Sequence, residues 1–109
     1  MKLNKLLENV TIETINNVDL QKDVEGIYIG DLLSFVMANG EENCLWLTVQ
    51  RHINVIAVAE LVGFSGIIFV ENVDPDQETI DRANELSICL LKTSLTAFDL
   101  SKEFIASGL

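Results

Sequence analysis

The pattern of apolar and polar positions divides this chain into short strand-like segments and longer helix-like segments, which alternate along it. Five segments have the length and the β-branched or apolar content of strands, and they cover residues 10–14, 26–30, 44–49, 66–70 and 88–93. Helical spacing covers 1–7, 32–39, 53–63, a segment after Pro75, and a last segment that turns Leu100 and Phe104 inward. Short connections between strands and helices predict right-handed crossovers and a mostly parallel sheet. The predicted fold class is therefore a three-layer α/β/α domain.

Residues that commonly begin or end helices mark several of these boundaries. Asp31 is placed to cap the helix over 32–39, and Gly40 is placed to end it. The fourth helix is predicted to begin at Asp74, which would be its N-cap. Pro75 then occupies the first helical position and Gln77 the third. The last helix has three candidate caps, which are Thr93, Ser94 and Thr96.

The helix over 53–63 is apolar on nearly all sides, and only Asn54 and Glu60 interrupt it before Gly63. A helix with so little polar surface is covered on two sides. The sheet covers one side, and either another element or another subunit covers the second. This pattern predicts a homodimer.

Composition limits the class of protein. The 109 residues suit a single domain over 1–109, and 49% hydrophobic content indicates a sizeable core. No apolar run is long enough for a membrane helix, and residues 1–10 lack the apolar stretch of a signal peptide. The net charge of −10 disfavours nucleic-acid binding. We therefore expect a cytoplasmic protein with neither a membrane nor a nucleic-acid partner.

The two cysteines, Cys44 and Cys89, lie inside apolar strand-like segments and lack metal-ligand spacing. A cytoplasmic location disfavours a disulfide. Buried, inert thiols are the expected state.

Polar residues follow three predicted parallel strands, where the carboxyl ends of such strands form a ligand crevice. They are Gln50, Arg51 and His52, then Glu71 and Asn72, then Lys92, Thr93 and Ser94. The basic side chains among them, beside the start of a helix, favour a small anionic ligand. The alternative is structural: Asn54 caps the helix, and Arg51 pairs with one of the 17 acids.

Catalytic and cofactor motifs are absent from the chain. Neither a P-loop nor a glycine-rich dinucleotide motif occurs, and no nucleophile elbow accompanies His52. His52 also lacks a second histidine at helical spacing that would help to hold a metal. The expectation is a protein without enzymatic activity, metal or cofactor.

Four segments carry a resemblance to a known family. They are GIYIGDLLSFVMANG, CLWLTVQRHINVIAVAELVGFSGIIFV, DPDQETIDRANELSICLLKT and SLTAFDLSKEF, and they span most of the chain from Gly26 to Phe104 in order. In them the chain resembles the DRTGG-domain family and, beyond it, the N-terminal domain of HPr kinase/phosphorylase. It is also similar to a standalone form associated with iron hydrogenase systems.

The resemblance implies a regulatory domain, and some members of the family resemble adenine-nucleotide sensors that bind across a homodimer. By position, Gln50 and Arg51 match the family's Asp-Arg step, and residues 70–72 match its Thr-Gly-Gly step. Here Glu71 and Asn72 replace the two glycines, and one replacement is an acid. The kinase relatives carry a separate catalytic domain with a P-loop, and no such motif is present here.

The sequence thus predicts a non-catalytic regulatory or ligand-binding module, with an adenine nucleotide or another small anion as its ligand. The alternative function is an adaptor or accessory protein for an enzyme partner, with a vestigial crevice.

Overall fold

The computed structural model describes all 109 residues and confirms the α/β class. Five strands form one sheet in the order β1-β5-β4-β3-β2. Their bounds are β1 Glu13–Thr14, β2 Gly26–Ile29, β3 Cys44–Thr48, β4 Gly66–Phe69 and β5 Leu90–Lys92. Strands β2 to β5 are parallel neighbours in chain order, and only β1 runs antiparallel, beside β5.

Five α-helices complete the fold, with a short 3-10 helix at Leu7–Asn9. Their bounds are α1 Leu3–Leu6, α2 Leu33–Asn39, α3 Asn54–Val62, α4 Gln77–Leu86 and α5 Ala97–Ala106. No helix has both the length and the apolar character that crossing a membrane requires.

The alternation of side chains along the buried strands builds two apolar cores, one on each face of the sheet. In β3, Trp46 belongs to the core under α2, α3 and α4, whereas Leu45 and Leu47 belong to the core under α1 and α5. Both inward residues predicted for the last helix, Leu100 and Phe104, are fully buried in the second core. The sheet is therefore covered on both faces, as expected for a parallel sheet, and the three-layer prediction is confirmed.

The helix predicted to need two covered sides is α3, which packs on the sheet between α2 and α4. Val55, Ile56 and Ala59 are buried, whereas Leu61 on the outer face is 70% exposed. Helices of the same chain thus cover its flanks, and part of its apolar surface stays open.

Two predicted helix starts are wrong, for the same reason. Helix α2 begins after Leu32 and α4 begins after Asp76, and neither has a side-chain cap. The carboxylate of Asp31 instead binds the turn after β3, and that of Asp74 pairs with Lys92. The carboxylate of each aspartate is occupied by a partner from a neighbouring strand or its turn, and it therefore does not cap the helix.

Two helix ends agree with prediction. Thr96 caps α5, since its hydroxyl accepts a hydrogen bond from the amide of Asp99 at 3.1 Å. Gly40 follows the last residue of α2, in an extended backbone conformation. A Cβ at Gly40 would lie 2.7 Å from the Phe64 ring and 2.8 Å from the carbonyl oxygen of Val36. Glycine is needed at this position because any side chain would clash with both groups.

Candidate functional site

The turns after β3, β4 and β5 all lie at one edge of the sheet, because these strands are parallel neighbours. We call residues 49–53, 70–76 and 93–95, together with Lys92, the carboxyl edge. It contains every residue that the sequence proposed for a site.

The turn after β3 is tied to Asp31, at the end of the neighbouring strand β2. One carboxylate oxygen of Asp31 accepts hydrogen bonds from the Thr48 hydroxyl at 2.7 Å and from the Val49 amide at 2.9 Å. The side-chain amide of Gln50 donates to the backbone oxygen of Asp31 at 2.9 Å. Gln50 therefore holds two turns together, and this contact occupies one of the two N–H donors of its side-chain amide.

Arg51 and His52 both face Asp76, which lies just before α4. His52 Nδ1 is 2.7 Å from one carboxylate oxygen of Asp76, and Arg51 Nε is 3.7 Å from the other. The backbone oxygen of Arg51 accepts from the Asp76 amide at 3.1 Å and from the buried Thr79 hydroxyl at 2.8 Å. The sequence alternative in which Arg51 pairs with an acid is thus present, but Asn54 makes no capping bond.

The turn after β4 has an unusual backbone. Glu71 and Asn72 have positive φ angles of 57° and 62°, in the left-handed region that favours glycine. Their amides donate to the backbone oxygens of Leu95 and Thr93, at 2.8 Å and 2.9 Å. The two positions that match glycines of the DRTGG pattern are therefore positions where the backbone itself favours glycine. Both side chains here are exposed.

The end of β5 supplies Lys92 and Thr93. The Lys92 ammonium pairs with Asp74, and its side chain is only 15% exposed. Thr93 is buried, and its hydroxyl donates to the backbone oxygen of Thr11 at 2.6 Å and accepts from the Leu95 amide at 3.2 Å. A lysine has three donors, so Lys92 keeps donors for a ligand, whereas Thr93 has a structural role.

A polar cavity of about 300 Å³ opens at this edge, between β1 and the ends of β4 and β5. Its lining residues are Thr11, Ile12, Glu13, Asn72, Lys92, Thr93 and Ser94. Asn72, Lys92 and Thr93 are thus brought together as the sequence proposed. Gln50, Arg51, His52 and Glu71 lie elsewhere on the edge and do not line this cavity.

Two sets of residues at this edge were not predicted from the sequence. Thr11, Ile12 and Glu13 line the cavity because β1 returns antiparallel beside β5, with Glu13 opposite Lys92. The β-branched alternation of 10–14 signalled a strand, but it carried no information about the partner. Asp74 and Asp76 were not predicted as counterions. Their position could have indicated it, because two acids lie in one tripeptide between Arg51 and Lys92 in the chain.

The two cysteines are inert, and the other hollows of the surface lie at the opposite edge of the sheet. Cys44 and Cys89 are buried and free. Burial raises the pKa of both thiols, that of Cys89 to about 11. Two other hollows, of about 510 and 390 Å³, lie around the amino ends of the strands. No group of three or more His, Cys, Asp or Glu side chains is placed to hold a metal ion.

Comparison with known proteins supports the fold. No family model matches the chain. No characterised protein matches its sequence. A solved structure does match, with a TM-score of 0.71 and 16% identity: the CBS and DRTGG domains of the regulatory region of Clostridium perfringens pyrophosphatase, complexed with the activator diadenosine tetraphosphate.

The match covers 97% of this chain and 46% of that one, so this chain spans about half of the regulatory region. The DRTGG-like fold expected from the sequence is confirmed by this similarity. The resemblance to HPr kinase/phosphorylase stays a prediction.

Proposed function

We propose that this domain is a non-catalytic regulatory module that binds a small ligand at the carboxyl edge. The polar cavity containing Asn72 and Lys92 is the observation that carries this proposal, because ligands of parallel α/β sheets bind beyond the carboxyl ends of the strands. The similarity in fold to a regulatory region that is complexed with a nucleotide activator supports it.

The proposed ligand is an adenine nucleotide or another small anion. At about 300 Å³ the cavity is at the lower limit for small-molecule sites, so a nucleotide would extend from it along the edge. Arg51 supplies positive charge in that direction, beside the His52 imidazole, and Lys92 supplies it in the cavity. In a chain with a net charge of −10, these are the groups that would attract an anion.

We further propose that the module works as a homodimer through the outer face of α2 and α3. Leu32, Phe35 and Leu61 are 68%, 59% and 70% exposed on this side of the molecule. Asp31 and Glu60 are the only charged residues in 26–40 and 53–62. A second copy could therefore approach here with little of the repulsion that the acidic remainder of the surface would cause.

An adaptor function is the second candidate, and the pairing of the edge cations favours it. Arg51 and His52 already face Asp76, and Lys92 faces Asp74. In this alternative the edge is structural, and the apolar face of α2 and α3 binds a different protein, such as an enzyme. The cytoplasmic location expected from composition is part of both proposals.

A thermal-shift screen with adenine nucleotides and small anions tests the proposal. A ligand at 100 times its dissociation constant should stabilise the domain by about 2.7 kcal/mol. Arg51→Ala should reduce this shift, whereas Arg82→Ala should not, because Arg82 pairs with Glu85 on the surface of α4. If no compound stabilises the wild-type domain, the adaptor function is favoured.

A further inference from the structure

One tripeptide, Asp74-Pro75-Asp76, contacts every basic side chain of the carboxyl edge. Asp74 pairs with Lys92, and Asp76 faces both Arg51 and His52. No other acid of the chain pairs with these three side chains. The edge therefore holds two separate anionic groups, each in contact with cations from a different strand end.

The sheet order explains how one segment reaches both groups of cations. Strand β4 lies between β3 and β5, so the segment that follows β4 lies between Arg51 on one side and Lys92 on the other. Neighbouring strands are about 4.8 Å apart, which places the two outer strand ends roughly 10 Å from each other. A ligand whose anionic groups are several atoms apart could contact the cations at both strand ends.

The aspartate side chains are easier to displace than the backbone that carries them. The Asp74 side chain is 75% exposed, and Lys92 is its only partner. The backbone is anchored, since the Asp76 amide donates to the Arg51 carbonyl oxygen and Pro75 is buried. The Asp76 side chain is half-buried, at 41% exposed. Rotation of the Asp74 and Asp76 side chains would therefore open both cationic positions without moving the segment.

We propose that the carboxyl edge takes a ligand with two anionic groups separated by several atoms, and that Asp74 and Asp76 occupy the positions of these groups when it is absent. A linear triphosphate or a bisphosphate has this chemistry, free or within a nucleotide. The inference rests on the proposed function and adds to it an internal competitor. Glu13 and Glu71, also at this edge, would repel any charge outside the two positions.

Isothermal titration calorimetry with sodium tripolyphosphate, phosphate and ATP tests this inference. The variants are Asp74→Asn, Asp76→Asn and the double variant. The control matched to each single variant is Asp99→Asn, which removes one negative charge from the Asp99–Lys102 pair on α5. Far-ultraviolet circular dichroism should show that all of them keep the fold.

The double variant should bind tripolyphosphate at least about tenfold more tightly than the Asp99→Asn control does, and more tightly than either single variant. Phosphate should gain less, because it fills one position only. Arg51→Ala in the double variant should remove most of the gain. A parallel gain for ATP would show that the polyphosphate is recognised, whereas a gain for tripolyphosphate alone would identify the free polyanion as the ligand.

Two results would overturn the inference, and they differ in what they say of the proposed function. If ATP binds the wild type and the double variant equally, the edge binds a ligand without displacing the aspartates, and only the inference fails. If no variant binds any of the three probes, the anion site itself fails as well.

Discussion

His52 and Asp76 are joined by a contact of 2.7 Å between Nδ1 and a carboxylate oxygen, although 24 residues separate them. The contact connects the turn after β3 to the start of α4, across the end of β4. No serine, threonine or cysteine hydroxyl or thiol bonds to the imidazole. The histidine is therefore oriented by an acid but has no nucleophile to activate.

We accordingly expect no turnover of nucleoside triphosphates or simple esters by the pure protein. Phosphate release from ATP should equal that of a protein-free blank, with His52→Ala as the comparison. Hydrolysis that is lost in His52→Ala would make the domain an enzyme.

Glu71→Gly should stabilise the domain by about 1 kcal/mol, since a non-glycine residue in the left-handed region costs roughly 1–2 kcal/mol and glycine returns part of this as unfolded-state entropy. Urea denaturation measures the change. Glu71→Ala is the control, because it removes the charge and keeps the strained backbone. An equal gain in both variants would assign the effect to charge alone.

Alkaline pH should destabilise the domain through Cys89. Burial raises the pKa of this thiol from its ordinary value of 9.0 to about 11. Between these values the unfolded chain loses the proton and the folded chain keeps it, so stability falls as pH rises from about 9 to 11, by roughly 2–3 kcal/mol. Urea titrations across this range should show a weaker fall in Cys89→Ala, and equal slopes would contradict the buried thiol.

Phe35→Glu should convert a dimer to a monomer, because it places a charge in the proposed apolar interface of α2 and α3. Sedimentation velocity at micromolar concentration measures the change. Phe98→Glu is the matched control, since Phe98 is 71% exposed on α5, in the opposite helix layer. A wild-type monomer under these conditions would contradict the proposed homodimer.

The sequence predicted the sheet well because its signals are local. Strands β2 to β5 are short apolar runs that alternate with helices, and such runs occur where a parallel sheet is covered on both faces. Strand β1 was predicted as an element, but its antiparallel place beside β5 depends on contacts between residues distant in the chain. Periodicity carries no information about such contacts.

The position of the candidate site could be predicted from the sequence, but its ion pairs could not. Parallel topology brings Asn72, Lys92 and Thr93 to one cavity, as expected. The acidic partners of Lys92 and Arg51 were not predicted. From the sequence alone, Asp74 is equally well placed to cap the following helix and to pair with a cation. The choice between a local cap and a distant cation is made by tertiary geometry.

Two-dimensional ¹H–¹⁵N NMR during titration with ATP tests whether the carboxyl edge is a ligand site. The largest shifts should come from the amides of Arg51, Asn72 and Ser94, with their neighbours on this edge. Amides at the amino ends of the strands, such as Ser65 and Ser87, should stay unchanged. An unchanged spectrum, or shifts confined to the amino ends, would refute the proposed site at the carboxyl edge.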